Sequence, residues 1–123
     1  MKVLLSIKPE FVEKIFSGEK RYEFRRAIFK RPQISVVVVY ASTPIQKVVG
    51  EFTISDILCD NVSSLWLKTR RHSGITEELF FKYFKNKNQG FAIGINRVRK
   101  YRSPLSLWKD FRMLPPQSYA YLS

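Results

Sequence analysis

Apolar and polar positions alternate and cluster in ways that sort this chain into short elements. Lys2 to Ile7 carries the triplet Val3-Leu4-Leu5 and then Ile7, which reads as a first strand closed by Pro9. Pro9 suits the first position of a helix, where a missing N–H is no loss. Phe11, Val12, Ile15 and Phe16 then recur at helical spacing and make one apolar face. Glu10 and Glu13 favour the positive end of that helix, although Lys8 is a poor cap for it. Gly18 ends it, because glycine takes the left-handed conformation cheaply. From Lys20 to Arg26 the period changes to two, with Tyr22 and Phe24 on one face and Arg21, Glu23 and Arg25 on the other.

A basic loop around Lys30-Arg31-Pro32 leads into Ile34 to Ala41, whose four successive valines suit a strand buried on both faces. Lys47 to Leu58 is a further strand, with Glu51, Thr53 and Ser55 interleaved with Phe52 and Ile54, and Gly50 marks a bulge. A short helix follows over Asn61 to Thr69, then a basic connector, Lys68 to His72, ending at Gly74. Thr76 caps a better helix, with Glu77 and Glu78 in its first turn and Lys82, Lys85 and Lys87 later. Gly90 to Tyr101 alternates through Phe91, Ile93 and Ile95 as a strand. Ser103-Pro104 reads as the cap of a helix through Phe111, and Pro115 to Leu122 reads as a tail. About five strands and their helices, without strict βαβ alternation, predict one α+β domain on a curved or closed sheet.

Composition supports a packed fold. Of 123 residues 45% are hydrophobic and 15% aromatic, which excludes a disordered chain. Charge narrows the partner: 22 Lys and Arg against 10 Asp and Glu give a formal +12. Such an excess repels itself in a compact state, and a polyanion relieves it. Nucleic acid is the leading partner, with an anionic surface as the alternative. Cys59 and His72 are each alone of their type, so a disulfide within the chain and a four-ligand Cys/His zinc site are excluded. Cys59 closes an apolar segment and is expected to be a small buried thiol. No stretch reaches the ~20 apolar residues of a membrane span, and the first ten residues lack a signal-peptide core. A cytoplasmic protein without metal or cofactor is the expectation.

The densest chemistry falls where the first helix gives way to a strand. Lys20, Glu23 and Arg25 lie within six residues, and Glu23 and Arg25 share a face. A carboxylate between cations can accept from a base amine while the cations take phosphate or base acceptors. The same carboxylate can act as a general base, so Lys20 and Glu23 are the catalytic candidates. A plain row of solvated ion pairs has the same pattern and would be worth no more than about 1 kcal/mol. Ser6 and Lys8 join the same pocket if the first two strands are neighbours. Lys30-Arg31, Lys68 to His72 and Arg97 to Arg102 are basic clusters that mean little singly. Tyr22, Tyr40, Tyr83, Tyr101, Trp66 and Trp108 offer stacking surfaces for single-stranded RNA, though most should be core. No Gly-rich phosphate loop and no Ser-His-Asp arrangement is present.

Taken together, Leu4 to Pro9, Phe11 to Phe16, Ser17-Gly18-Glu19-Lys20 and Tyr22-Glu23-Phe24-Arg25-Arg26 resemble the ASCH domain, a family of the PUA-like superfamily. Val49 to Phe52, Gly74-Ile75, Phe80 to Phe84 and Pro116-Gln117-Ser118 extend the likeness over nearly the whole chain. The resemblance implies an α+β fold, a small PUA-like β-barrel of about five to six strands with flanking helices. It also implies a cleft beside the first helix that binds RNA or nucleotides, single-stranded or modified. On this reading Ser6, Lys8, Lys20, Glu23, Arg25 and Arg26 belong to the cleft, while Arg97, Arg99 and Lys100 track the RNA backbone.

Some members of the family are acetylcytidine amidohydrolases, with a Lys, a Thr three positions on, and a later Glu. Here Lys20 is kept, but Glu23 takes the place of the Thr and no Glu lies around His72-Ser73, which argues against that deacetylation. A ribonuclease at the same cleft is compatible with Lys20, Glu23 and Arg25. A related branch is described as transcriptional regulators, which keeps DNA or a small ligand as a further reading.

Overall fold

The strand expected first in sequence lies one place in from an edge of the sheet, and the segment expected as a tail forms that edge beside it. The fold is a computed structural model, described for residues 1–122. In chain order it comprises β1 (Lys2–Ile7), α1 (Pro9–Ser17), β2 (Tyr22–Arg25), β3 (Val36–Ala41), β4 (Lys47–Asn61) and α2 (Val62–Thr69). A 3-10 turn at Arg70–His72 follows, then α3 (Glu77–Tyr83), β5 (Gln89–Leu105), α4 (Leu107–Phe111) and β6 (Tyr119–Leu122). The strands form one sheet in the order β2-β5-β4-β3-β1-β6. β1 and β3 run parallel, and every other neighbouring pair is antiparallel.

The sheet bends without closing. β4 and β5 are the long strands, and their register shifts between Val48 and Gly50, Phe52 and Ile54, and Ile54 and Ile57. Each shift adds local twist and curvature. Gly50 sits at one of them as expected, since a Cβ there would stand 2.5 Å from the Arg99 carbonyl oxygen and the Phe16 ring. β2 and β6 remain as edges, so the backbone pairing describes a curved open sheet where the family resemblance implied a barrel. Side chains span the gap instead. Arg25 on β2 donates to the Ser118 carbonyl (2.8 Å) and hydroxyl (3.3 Å), just before β6.

The apolar pattern explains the layers. Val3, Leu5 and Ile7 of β1 pack with Val37, Val39, Phe52, Ile93 and the Val12 and Ile15 face of α1. Leu4, Val38, Tyr40 and Val48 point the other way, beneath Leu107 of α4. β1 and β3 are thus buried on both faces, as the run of valines required. Phe24, Leu65, Trp66, Phe80, Phe84 and Ala92 form a third cluster that seats α2 and α3 against β2 and β5. Full burial of Ile15 alone is worth about 2 kcal/mol. Gly18 ends α1 at φ 87°, with its N–H donating to the Ile15 carbonyl. Asn61 and Thr76 cap α2 and α3 by accepting from the backbone N–H of Ser64 and Leu79.

Three expectations require correction. β5 runs on through Ser103-Pro104 to Leu105, because Val48 still pairs with Leu105 there, and α4 starts only after the Ser106 cap. The tail is a strand, since Tyr119 to Leu122 complete the ladder on the free edge of β1. Cys59 is exposed, on a stretch of β4 that alternates towards solvent.

Candidate functional site

The junction after α1 is shaped by glycine and by a neighbouring loop. Gly18 turns the chain so that Lys20 N–H can donate back to the Lys14 carbonyl (2.9 Å), and Arg21 N–H then donates to the His72 carbonyl (2.8 Å). That second bond sets the loop 72–74 directly over Lys20. Gly74, at φ +64°, lies so close that a Cβ there would be 2.5 Å from the Lys20 Cβ. Only glycine fits that backbone and that spacing. The Lys20 side chain is driven inward, 2% exposed, and its ammonium donates to the Ser73 carbonyl at 2.6 Å. It also lies 5.0 Å from the centre of the Phe11 ring and 4.7 Å from that of Phe24. Aromatic faces stabilise a cation that water no longer reaches.

β2 supplies the other side. Phe24 is fixed edge-on against Phe80 and Phe84, which turns Glu23 and Arg25 to the opposite face. Glu23 is buried, and Arg25 donates to it at 3.2 Å while reaching the Ser118 carbonyl and hydroxyl. Ser6, at the same end of β1, donates to the Pro116 carbonyl.

These groups open on one cavity of about 490 Å3 between α1 and α3. Ser6, Lys8, Lys20, Glu23 and Arg25, all singled out from the sequence, line it together. Four cations face it (Lys8, Lys20, Arg25 and Lys82) against the carboxylates of Glu10 and Glu23. Phe11, Ile75, Leu79 and Tyr83 provide apolar wall.

Burial sets the acidities here. Removal from water pulls the Lys20 ammonium down to about 8, against the attraction of Glu23 and with some help from the Lys14 charge. The Glu23 carboxyl moves up, because desolvation outweighs Lys20, Arg25 and the Arg25 hydrogen bond. Tyr83 also moves up, chiefly by burial, and its hydroxyl donates to the Phe24 carbonyl at 3.2 Å. Burial thus shifts both the Lys20 amine and the Glu23 carboxyl towards their neutral forms.

Other residues named from the sequence lie elsewhere. Arg26 is exposed and donates to the Tyr83 carbonyl, outside the cavity wall. Arg97, Arg99 and Lys100 are on the exposed far half of β5. Arg99 meets Glu51 at 3.3 Å in a separate cluster with Lys2 and Tyr101. Conversely, Glu10, Ser73, Lys82 and Ser118 were missed as site residues, and Tyr83 was named only as a stacking surface. The helical spacing of Leu79, Lys82 and Tyr83 could have found the α3 wall, but nothing local marks Ser73, and Ser118 was marked only as part of the family resemblance.

An open, curved six-stranded α+β sheet with a cleft of buried, paired charges beside its first helix is the class of protein defined here. The chain belongs to the ASCH domain family. It is 32% identical over 97% of its length to an ASCH domain-containing ribonuclease of Zymomonas mobilis, covering 82% of that protein. The crystal structure of ASCH from Zymomonas mobilis superposes with a TM-score of 0.89 at 29% identity, over 99% of this chain and 87% of that one. The chain is also 31% identical, over 98% of its length, to part of a Ureaplasma parvum protein called ATP synthase subunit alpha, of which it spans only 15%. No family model matches the sequence.

Proposed function

We propose that this chain acts on RNA, holding a single-stranded segment in the cleft between α1 and α3 and cleaving it there. The observation that carries the reading is Lys20, a buried ammonium with an acidity near pH 8, set beside the Glu23–Arg25 pair in an open cavity. The similarity to the Zymomonas mobilis ribonuclease supports the same substrate class.

Residue roles follow from chemistry. Lys8 and Lys82, exposed on opposite walls and without an ion pair among the described residues, bind phosphate. Glu23, as carboxylate, takes the proton of a ribose 2′-hydroxyl, whose oxygen attacks the adjacent phosphorus. Lys20, as ammonium, gives a proton to the departing 5′-oxygen, leaving a 2′,3′-cyclic phosphate and a 5′-hydroxyl. Arg25 holds the Glu23 carboxylate and offsets the charge that develops on phosphorus. Arg26 at the rim and Arg97, Arg99 and Lys100 on β5 contact backbone beyond the cleft.

Labelled single-stranded RNA tests this against Glu23→Gln and Lys20→Met. Each variant should cleave at least 100-fold more slowly while still binding, the scale of a lost acid or base. Wild-type kcat/KM should fall above about pH 8, as Lys20 loses its proton, and fall again in acid as Glu23 gains one. Unchanged cleavage in both variants would exclude the mechanism.

A second reading is a binding module without cleavage. It is favoured by the fact that Lys20, Glu23 and Arg25 all have protein partners already. Salt-sensitive binding of RNA that stays intact would establish it. Tighter binding of duplex DNA at matched salt would instead point to a regulator acting on DNA.

A further inference from the structure

Three basic segments far apart in sequence meet at one residue, Arg21. Its N–H donates to the His72 carbonyl, and its own carbonyl accepts from the Ile95 N–H at 2.9 Å. The connector Arg70-Arg71-His72 therefore lies along one side of Arg21, and the strand leading to Arg97 lies along the other. Arg21, Arg70, Arg71, His72 and Arg97 are all exposed. None of the four arginines has a carboxylate within 4.0 Å among the described residues, whereas Lys2, Lys14, Arg25, Lys68 and Arg99 do. The Arg21–His72 bond also lies next to the Lys20–Ser73 contact at the cleft. Lys20 and Ser73 face each other inside, and the next residue outward on each side is Arg21 and His72.

From this juxtaposition we infer that Arg21, Arg70, Arg71 and Arg97 form an RNA-backbone track, a second site that holds the phosphates of nucleotides running out of the cleft. The inference rests on the reading of the cleft as an RNA site. Guanidinium groups suit the role because their planar forks hold phosphate oxygens in pairs and keep their charge at any working pH. No Phe, Tyr or Trp is among these residues, so the four arginines read charge and not base identity. The cleft then selects what is cut, and the track supplies affinity in proportion to strand length.

The test uses two RNAs and the intact chain. One is a dinucleoside monophosphate, which fills the cleft alone. The other is a single strand of about ten nucleotides, within the range of small single-strand sites. The triple variant Arg21→Glu/Arg70→Glu/Arg71→Glu should bind the longer strand at least ten-fold more weakly. Its log–log salt slope should be shallower by about 2, from three phosphate contacts at ~0.7 each. Turnover of the dinucleotide should stay within two-fold of wild type. Equal affinity and equal slope for the longer strand would overturn the track. A variant weakened on the longer strand would support it even if wild type left the dinucleotide uncut, and in that case only the cleft chemistry fails. Preference for duplex DNA over RNA, abolished by the same substitutions, would overturn RNA as the occupant. Circular dichroism and thermal melting, unchanged for exposed substitutions, separate these outcomes from misfolding.

Discussion

Glu23 and Glu51 are both strand carboxylates held by an arginine, yet their acidities move in opposite directions. Glu23 is buried in the wall of the cleft, and loss of water dominates, so its carboxyl is raised despite Lys20 and Arg25. Glu51 is partly buried and opposed by the same desolvation. There, hydrogen bonds from Tyr101 (2.7 Å) and Arg99, with the charge of Lys2, outweigh it and hold the carboxyl below its ordinary value. The same residue types thus make a buried, strongly shifted cluster in one place and a surface brace in the other. Hydration decides which, more than the number of cations nearby.

The contrast should be largest for the two arginines. Arg25→Ala leaves the Glu23 carboxylate buried without its cation and removes the bonds to Ser118. It should lower stability by about 3 kcal/mol in urea unfolding. Arg99 is mostly exposed, and Arg99→Ala should cost less than about 1 kcal/mol. Equal losses would erase the distinction between the clusters.

Gly74→Ala should come next. A Cβ there meets the Lys20 stem in a left-handed conformation, for about 1–3 kcal/mol of strain. RNA cleavage should fall with it, because Lys20 is pushed from Ser73. A substitution at another close glycine, Gly50→Ala, strains the β4 bulge but should spare the acidity of Lys20, as read by its pH–rate limb.

The smallest effect is in pH dependence. A folded Glu23 keeps its proton above the ordinary carboxyl value of 4.5, so the protein gains stability as pH falls towards that value. Glu51 contributes the reverse, stability present above 4.5 and lost as pH falls through its lowered value. Glu23→Gln should abolish the gain, and Glu51→Gln should flatten the acid loss. Lys20 adds a rise in stability between about pH 8 and 10.5, because its folded amine gives up the proton that the unfolded one keeps. Urea midpoints measured across pH for the three proteins check all three slopes.

Much of the fold was legible where local signals agree. The spacing of Phe11, Val12, Ile15 and Phe16 with Gly18 defined α1, and the valines of β3 announced burial on both faces. β6 was not legible, since Pro115-Pro116 precede it and its partner β1 lies at the other end of the chain. The far end of β5 was masked by Ser103-Pro104, which reads as a helix start unless its partner Val48 is known. In the cleft, Lys20, Glu23 and Arg25 could be read because they sit within six residues and match a family pattern. Lys82, Tyr83, Ser73 and Ser118 arrive from separate elements through packing alone. The open sheet was also out of reach, because closure depends on whether two edges pair, and no residue states that by itself.

Arg25 holds more than Glu23. By gripping Ser118 it ties the cleft to the segment that leads into β6, and Ser6 adds a second tether at Pro116. A ligand that engages Arg25 would therefore couple occupancy of the cleft to docking of the last strand, and such linkage is reciprocal. A ligand that tightens Arg25 must slow amide exchange along Tyr119 to Leu122. Anything that pulls β6 away from β1 must, by the same amount, loosen the ligand.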